Sequence, residues 1–422
     1  MAADTVPTTE VERDARALHG ADEKGHRIDP AEIAIGVIIG RTSEFFDFFV
    51  YAIASVLVFP KLVFPHLDPL TGTLWSFAIF ALAFVARPVG TIIFTAIDRA
   101  YGRGAKLTIA LFLLGGSTAA IAFLPGYQSI GIGAALLLAL NAPENKRGWY
   151  AMIPQLGAPL GLIVASLLFM FLISALPAED FLAWGWRYPF FVAFAINVVA
   201  LFARLRIVVT PEYAELFENR ALQPAPLLET VRSEWKTIVI GTFAPLASFA
   251  MFHMVTVYPL SWVFLFTDET PVRFLMIEAI AAVVGIGTII ASGYLADRIG
   301  RRTLLAGTAA AIAVFSGFAP QLLDAGELGE AAFMILGFAL LGLSFGQSSG
   351  ALSSNFHPRH RYTGSAFTSD LAWLFGAGFA PMVALWLSSQ FGLIAAGAYL
   401  LSGAIGTLVA LWLNRELAST IG

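Results

Sequence analysis

The sequence predicts an all-α membrane protein with twelve transmembrane helices arranged as two six-helix bundles. Of its 422 residues, 58% are hydrophobic, and the mean hydropathy is +0.77. Apolar stretches long enough to cross a hydrocarbon core of about 30 Å recur along the chain. A repeated motif, described below, predicts the division into halves. With 36 Phe and 13% charged residues, the chain is too apolar for an ordinary soluble domain.

The predicted helices follow the apolar stretches in order, with short polar segments between them. The first half comprises helix 1 at about 33–59, helix 2 at 72–97, helix 3 at 105–125, helix 4 at 129–141, helix 5 at 149–175 and helix 6 at 187–206. The second half comprises helix 7 at about 238–258, helix 8 at 274–296, helix 9 at 303–322, helix 10 at 331–353, helix 11 at 364–389 and helix 12 at 392–413. These spans divide the chain into an N-terminal tail (1–31), a first bundle (32–206), a linker (207–236), a second bundle (237–414) and a C-terminal tail (415–422).

Lysine and arginine are distributed unevenly among the predicted loops. With twelve crossings and a cytoplasmic N-terminus, 20 of the 25 basic residues fall in inner segments. The outer loops contain only Lys61, Arg187 and Arg273. This bias predicts a multi-pass protein of the inner (plasma) membrane with both termini in the cytoplasm. Charged residues interrupt the first apolar run, so no cleavable signal peptide is predicted.

Predicted helix 4 is short. The basic loop at 142–148 is predicted to be inside and the uncharged loop near 125–129 outside, which leaves only 129–141 to cross between them. At 1.5 Å per residue this segment reaches roughly 20 Å, less than the hydrocarbon thickness. The sequence therefore predicts a truncated fourth helix.

Several kinds of chemistry are excluded or unsupported. The chain has no Cys, and its six His show no zinc-ligand spacing. It has no phosphate-binding glycine loop, and no nucleophile and base are paired within the predicted helices. We therefore expect no metal or other cofactor, no nucleic-acid partner and no enzymatic activity.

A repeated motif marks the two halves. The segment GTIIASGYLADRIGRR at 287–302 has a partner, GTIIFTAIDRAYGRGAK, at 90–106, and the two Asp lie 199 residues apart. A repeat on this scale predicts two fused six-helix units. Asp98 follows Gly90 by eight residues, whereas Asp297 follows Gly287 by ten. A shift of two residues rotates a helical position by about 200°, so whether Asp98 acts like Asp297 stays open.

This motif resembles the loop between the second and third helices of each half in the major facilitator superfamily, Gly-x-x-x-Asp-Arg-x-Gly-Arg-Arg/Lys. Matching residues in the second half are Gly293, Asp297, Arg298, Gly300, Arg301 and Arg302. The chain is also similar to the metabolite:proton symporter family within it. That similarity rests on SEFFDFFVYA (43–52), ARPVG (86–90), PQLGAPLG (154–161), WGWRYPF (184–190), RLRIVVTPEY (204–213) and RYTG (361–364).

The resemblance implies a symporter that moves a small organic acid or zwitterion with protons by alternating access. The family includes permeases for proline/betaine, shikimate, citrate and α-ketoglutarate. Expected partners are such a small molecule, protons and the lipid bilayer, and we expect a monomer. The family's Gly-Gly-Glu element in helix 4 is missing here, so the alternative is a degenerate, non-transporting membrane protein, inactive or acting as a sensor.

For the repeated loops, the resemblance implies a role in closing the cytoplasmic side. The residues concerned are Asp98, Arg99, Arg103, Asp297, Arg298, Arg301 and Arg302. The alternative is that these basic residues only hold the loops on the inner side of the membrane. Both interpretations can hold together.

Charged residues inside the membrane are the candidate coupling site. Arg41, Glu44 and Asp47 recur at intervals of three residues, so they share one side of helix 1 with Tyr51. An unpaired ionised carboxylate at this depth is costly, so these residues need partners or protons. We predict that Arg87 pairs with Glu44 or Asp47 and that the cluster couples substrate to protons. The alternative is a static salt-bridge network between helices 1 and 2.

Other polar residues within the predicted helices are secondary candidates. Asp370 in helix 11 is the stronger one, while His253 in helix 7 is as much a packing residue as a proton site. Gln155 and Asn197 are expected to bind substrate or to join helices. Glu278 in helix 8 is expected to face an outer vestibule.

Overall fold

The computed structural model of the chain describes residues 30–119, 151–197, 225–353, 356–357 and 359–414, excluding the side chains of 30–33, 94–95, 98–119 and 352–353. Over these ranges the chain is almost entirely helical and contains no β-strand. The all-α prediction is therefore confirmed. Predicted helix 4, residues 1–29, residues 207–224 of the linker and the C-terminal tail lie outside the described ranges.

The first half begins with a long helix and is interrupted by short helical turns. Its α-helices are α1 (Pro30–Leu57), α2 (Phe59–Leu62), α3 (Pro69–Ala119), α4 (Gly157–Ala175) and α5 (Ala178–Ala183). A 3₁₀ turn at Ile153–Leu156 leads into α4 and another at Gly185–Arg187 follows α5, after which residues 188–197 are helical.

The second half contains more and shorter helices. They are α6 (Leu227–Phe243), α7 (Leu246–Thr256), α8 (Tyr258–Phe266), α9 (Pro271–Ile299), α10 (Arg301–Phe318), α11 (Gly326–Phe345), α12 (Ser348–Ser353), α13 (Arg361–Trp373), α14 (Ala380–Phe391) and α15 (Ile394–Leu413). A 3₁₀ turn at Ala319–Asp324 follows α10, and a π-helical segment, Leu374–Gly378, joins α13 to α14. Within the described ranges, eight helical segments are long and apolar enough to cross a membrane.

Proline explains where predicted helix 7 is divided. Pro245 immediately precedes α7 and Pro259 lies in the first turn of α8. Proline lacks an N–H and fits the first turn of a helix more readily than its interior, where it removes a hydrogen bond. The chain therefore crosses this region as α6, α7 and α8 rather than as one straight helix.

The two copies of the repeated motif differ in backbone structure. In the second copy α9 ends and α10 begins at Gly300, which has φ 83° and ψ 142°, a conformation that is essentially confined to glycine. The first copy lies inside α3, which runs without a break from Pro69 to Ala119. The predicted turn between helices 2 and 3 is therefore absent. Gly102 and Gly104 stay helical here, since glycine weakens a helix by only about 1 kcal/mol.

Close glycine contacts fix α4 against α1. A Cβ atom on Gly157 would lie 2.5 Å from the Cβ of Arg41, and one on Gly161 would lie 2.7 Å from the backbone nitrogen of Phe46. Small residues permit this approach of two helix backbones, as is usual within membranes. The opposite side of α4 packs on α9 of the second half.

Candidate functional site

A cluster of polar side chains lies on α1, inside the first half. The guanidinium of Arg41 donates from Nη1 to Oε2 of Glu44 at 2.7 Å, and both side chains are buried. The Ser43 hydroxyl donates to Oδ1 of Asn197 at 2.5 Å, and Asn197 Nδ2 donates to Asp47 Oδ2. Arg41 and Glu44 are therefore paired on α1, and Asn197 links Ser43 and Asp47 of α1 to the helical segment 188–197.

An ion pair joins the two halves. Arg87 of α3 donates from Nε to Oδ1 of Asp370 in α13 at 3.4 Å. The Asp370 side chain is 1% exposed, and its Oδ2 accepts a hydrogen bond from Thr91, one turn beyond Arg87. We predicted that Arg87 pairs with Glu44 or Asp47. The structure shows an ion pair of Arg87 with Asp370.

Aromatic rings surround this ion pair. The Arg87 Cζ atom lies 5.2 Å from the ring centroid of Trp373 and 5.9 Å from that of Phe84. Trp373 lies one turn after Asp370, immediately before the π-helical segment. The 3.4 Å distance exceeds the usual range for a charged hydrogen bond, about 2.7–2.9 Å. The guanidinium of Arg87 therefore contacts aromatic rings as well as the carboxylate, and its ion pair with Asp370 is a long one.

The centre between the halves is filled by aromatic rings in this conformation. Phe49 of α1 stacks on Phe252 of α7 with centroids 5.8 Å apart, and Phe45 lies 6.3 Å from Phe345 of α11. A small apolar pocket lies beside these rings. Helices α1, α4, α7, α9 and α11 line it, and its lining includes Leu162 of the first half and Phe338 of the second. The halves are thus closed against each other.

His253 lies among the same aromatic rings. It is fully buried, and its ring centroid lies 5.1 Å from that of Phe48 and 5.7 Å from that of Phe84. Neither ring nitrogen has a hydrogen-bond partner in the described part of the chain. An imidazolium without a partner would be poorly tolerated in such an environment. These surroundings favour the packing interpretation of His253.

Tyr51 and Gln155 have different surroundings. Tyr51 is buried and stacks on Phe80 with centroids 5.6 Å apart, away from the ion pair. Gln155 is buried in the 3₁₀ turn before α4, and among the described residues its Oε1 has no hydrogen-bond partner. Its role in binding substrate stays a prediction.

Glu278 does not face an open vestibule. Its side chain is fully buried on α9, and its Oε2 accepts a hydrogen bond from the Ser166 hydroxyl of α4 at 3.1 Å. The expectation of a solvent-facing residue was wrong, because hydropathy does not show which side of α9 meets the other half. The structure instead places this carboxyl group in the contact between the halves.

The basic residues at the start of α10 bind the ends of neighbouring helices. Arg301 donates from Nη1 to the Gly350 carbonyl at 3.0 Å and from Nε to Gln347 at 3.3 Å. Arg302 donates to the Leu411 carbonyl at 3.0 Å, near the end of α15. Cations at helix C-termini are favourable, because they neutralise the unpaired carbonyl groups. These two residues therefore have a structural role in addition to their charge.

The remaining residues of the repeated loops are less defined. Asp297 and Arg298 are exposed near the end of α9, and Arg298 Cζ lies 4.2 Å from the Tyr294 ring centroid. Asp98, Arg99 and Arg103 lie within α3, but their side chains are outside the described residues. Their predicted gating role stays a prediction.

Three polar residues of these sites were missed in the sequence. Thr91 follows Arg87 by four residues, a helical spacing that was available as a signal. Ser43 lies beside the charged residues of α1, whereas Ser166 lies in an apolar helix and gave no signal of its partner. The pairing of Arg87 with Asp370 had no signal either, since 283 residues separate them.

Known proteins are similar to this chain over most of its length. The family model described as the Major Facilitator Superfamily matches residues 132–381. The chain is 36% identical to the inner membrane metabolite transport protein YhjE of Escherichia coli K12, over 91% of this chain and 94% of that one. It is 26% identical to the shikimate transporter of the same organism, over 85% and 88%. The crystal structure of a D-xylose-proton symporter matches with a TM-score of 0.65 and 18% identity, over 92% of this chain and 98% of that one.

Proposed function

The chain belongs to the major facilitator superfamily, and from this premise we propose that it is a proton-coupled symporter of a small organic acid or zwitterion. It is a multi-pass membrane transport protein and not an enzyme. In the proposal it works in the inner membrane as a monomer with both termini in the cytoplasm. The names of its relatives, a metabolite transport protein and a shikimate transporter, support this substrate class.

The ion pair between Arg87 and Asp370 carries the proposal. It links α3 of the first half to α13 of the second half. Alternating access requires contacts between the halves to be made and broken around the substrate. A charged pair across that boundary is a contact whose strength a charged substrate can change.

Competition for Arg87 provides a coupling mechanism. A substrate carboxylate that reaches Arg87 would replace Asp370 as its partner. Asp370, still bonded to Thr91 but without its cation, would then be a buried carboxylate for which binding a proton is favourable. Substrate and proton would thus enter together, and release of the substrate would restore the ion pair and expel the proton.

The surrounding aromatic rings support occlusion of the substrate. Trp373 and Phe84 lie beside Arg87, and rings from both halves close the centre. A substrate must separate these rings to enter. When the rings close again, water is excluded from the site, and the interactions of the charged groups become stronger.

The test is uptake by purified protein in liposomes. A screen of carboxylates, betaines and amino acids for thermal stabilisation selects the substrate, because a ligand stabilises the state that it binds. Wild-type protein should accumulate this substrate only when the pH gradient is directed inward.

Two variants then separate binding from coupling. Asp370→Asn should lose accumulation driven by the pH gradient but keep exchange of internal for external substrate. Arg87→Ala should lose both activities. Glu327→Gln, at a carboxylate with 72% of its side chain exposed, is the matched control and should behave like wild type. Gradient-driven accumulation by Asp370→Asn at the wild-type level would refute the coupling role of Asp370.

A further inference from the structure

A second buried carboxyl group, apart from the proposed substrate site, lies between the halves. Glu278 of α9 is fully buried against α4, about 10 Å along its helix from the first residue, Pro271. In the predicted topology this is the outer third of the membrane. The proposed coupling mechanism does not use Glu278, so its burial needs its own explanation.

The contacts of Glu278 fit a neutral acid. In the described part of the chain its hydrogen-bond partner is one neutral hydroxyl, Ser166, on Oε2. The other oxygen, Oε1, is buried without a partner. A buried ionised carboxylate normally collects several donors or a cation. A proton on Oε1 removes the charge and leaves the hydrogen bond from Ser166 intact.

Among the residues that the structure describes, ionisable groups on the neighbouring elements do not supply a cation. The packed side of α4 and the 3₁₀ turn before it contain no ionisable residue. Elsewhere, Tyr258 of α8 shares a hydrogen bond with Ser388, and Arg301 and Arg302 of α10 bind helix ends near the opposite end of α9. On α9 itself, Tyr294, Asp297 and Arg298 also lie near that opposite end.

Arg273 is the nearest basic residue on α9, and carboxylates already surround it. Its guanidinium pairs with Glu269, lies 3.4 Å from Glu327 and lies 3.9 Å from Glu330. Arg273 and its three glutamates together therefore contribute more negative than positive charge near the outer end of α9. Such surroundings oppose a further negative charge on Glu278.

We propose that Glu278 is a proton-binding site that controls closure of the outer side, locking α4 to α9 when protonated and releasing them when ionised. Closure buries the carboxyl group, so it requires a proton from the outer aqueous phase. A hydronium ion gives its proton to Oε1, where an O–H bond forms, and becomes a water molecule. When the halves separate on the outer side, water reaches Glu278 and accepts the proton from Oε1. The proposal rests on the alternating access proposed above, but not on coupling through Asp370.

The distance between the outer ends of α4 and α9 tests this lock without any substrate. The chain has no Cys, so Ala178→Cys and Asp268→Cys introduce two unique label sites, both at exposed positions. Spin labels there report the separation by double electron–electron resonance. In the otherwise wild-type chain, alkaline buffer should add a longer distance to the short one seen in acid.

Variants at Glu278 decide the outcome. Glu278→Gln imitates the protonated acid and should lose the lengthening, with only the short distance at either pH. Glu278→Asp keeps a titratable group and should keep the response, which guards against a folding defect in the Gln variant. Asp324→Asn, at an exposed carboxylate of the turn after α10 on the same outer side, should respond like wild type. A pH response of Glu278→Gln equal to that of wild type, or an unchanging distance in wild type, would overturn the proposal.

Infrared spectroscopy adds a direct measurement of the proton. The carbonyl stretch of a protonated carboxylic acid should appear in the wild-type protein at neutral pH and weaken in Glu278→Gln. Identical bands in the two proteins would contradict the assignment. Asp370→Asn should keep the distance response, so failure of the lock and failure of the proposed coupling remain distinguishable.

Discussion

Two groups of buried charges differ in which parts of the molecule they connect. The cluster of Arg41, Glu44 and Asp47 is bonded within the first half, through the Arg41–Glu44 pair and through Asn197. The pair of Arg87 and Asp370 joins the first half to the second. A bond within one half can persist while the halves move, whereas a bond across the boundary must change. In the proposed mechanism, the first group stabilises a bundle and the second responds to transport.

Removing the cross-boundary cation should have the largest effect on stability. Arg87→Ala leaves Asp370 buried without its cation, and breaking a buried pair in this way costs about 3–5 kcal/mol. Arg87→Ala with Asp370→Ala removes both charges and should recover much of that loss. Chemical unfolding in detergent, arranged as a double-mutant cycle, measures the coupling. Additive effects of the two changes would show that the pair is not energetically linked.

Breaking the cluster inside the first half should have a smaller effect that spares coupling. Asn197→Ala removes the amide that joins Asp47 to Ser43, and losing a hydrogen bond to a charged group costs about 1.5–3 kcal/mol. The variant should still require an inward pH gradient for uptake. Ser43→Ala, which removes only one of these bonds, is the control and should lose about 1 kcal/mol. Loss of proton dependence in Asn197→Ala would place the cluster in the coupling mechanism.

Thr91 tests the second hydrogen bond to Asp370. Thr91→Val keeps the shape of the side chain but removes the hydroxyl, and should lower stability by about 1 kcal/mol. Since Asp370 keeps Arg87, uptake should continue with altered pH dependence. Thermal unfolding and uptake at several pH values measure both effects. An unchanged pH profile would contradict a role for Thr91 in holding the charge on Asp370.

An exposed carboxylate gives the smallest expected effect. Asp68 precedes α3, and hydrogen bonds from the Thr71 side chain and backbone N–H hold the pKa of Asp68 below its usual value. Its contribution to stability is therefore present above the pKa of the unfolded chain and disappears as the pH falls through the folded pKa. Asp68→Ala should flatten this part of the profile of melting temperature against pH. Thr71→Val should flatten it partly, and no change in either variant would contradict the assignment.

Much of the fold was predictable because the membrane imposes simple rules. Helix α9 at Pro271–Ile299 contains the predicted span 274–296, and α15 at Ile394–Leu413 almost coincides with the predicted 392–413. Hydropathy and length determine such spans. The motif predicted a loop between 296 and 303, and α9 ends within this interval at Gly300, where the positive φ gives the physical reason.

The relation between helices was not predictable in the same way. Neither the pairing of Arg87 with Asp370 nor the contact of Ser166 with Glu278 leaves a pattern in the sequence, because each depends on how the two halves meet. The continuous α3 also escaped prediction, since its charged and glycine-containing segment resembles a turn but is compatible with a helix. Sequence identified the charged residues, and three-dimensional packing decided which ones meet.

The two sides of α4 have unequal freedom to move. Toward α1, Gly157 and Gly161 leave no room for even a methyl group, so the two backbones are in direct contact. Toward α9, a single hydroxyl meets a carboxyl group that can gain or lose charge. Helix α4 thus joins a contact set by backbone shape to one that includes a titratable group, and a change of charge on Glu278 is expected to act on the second contact rather than the first.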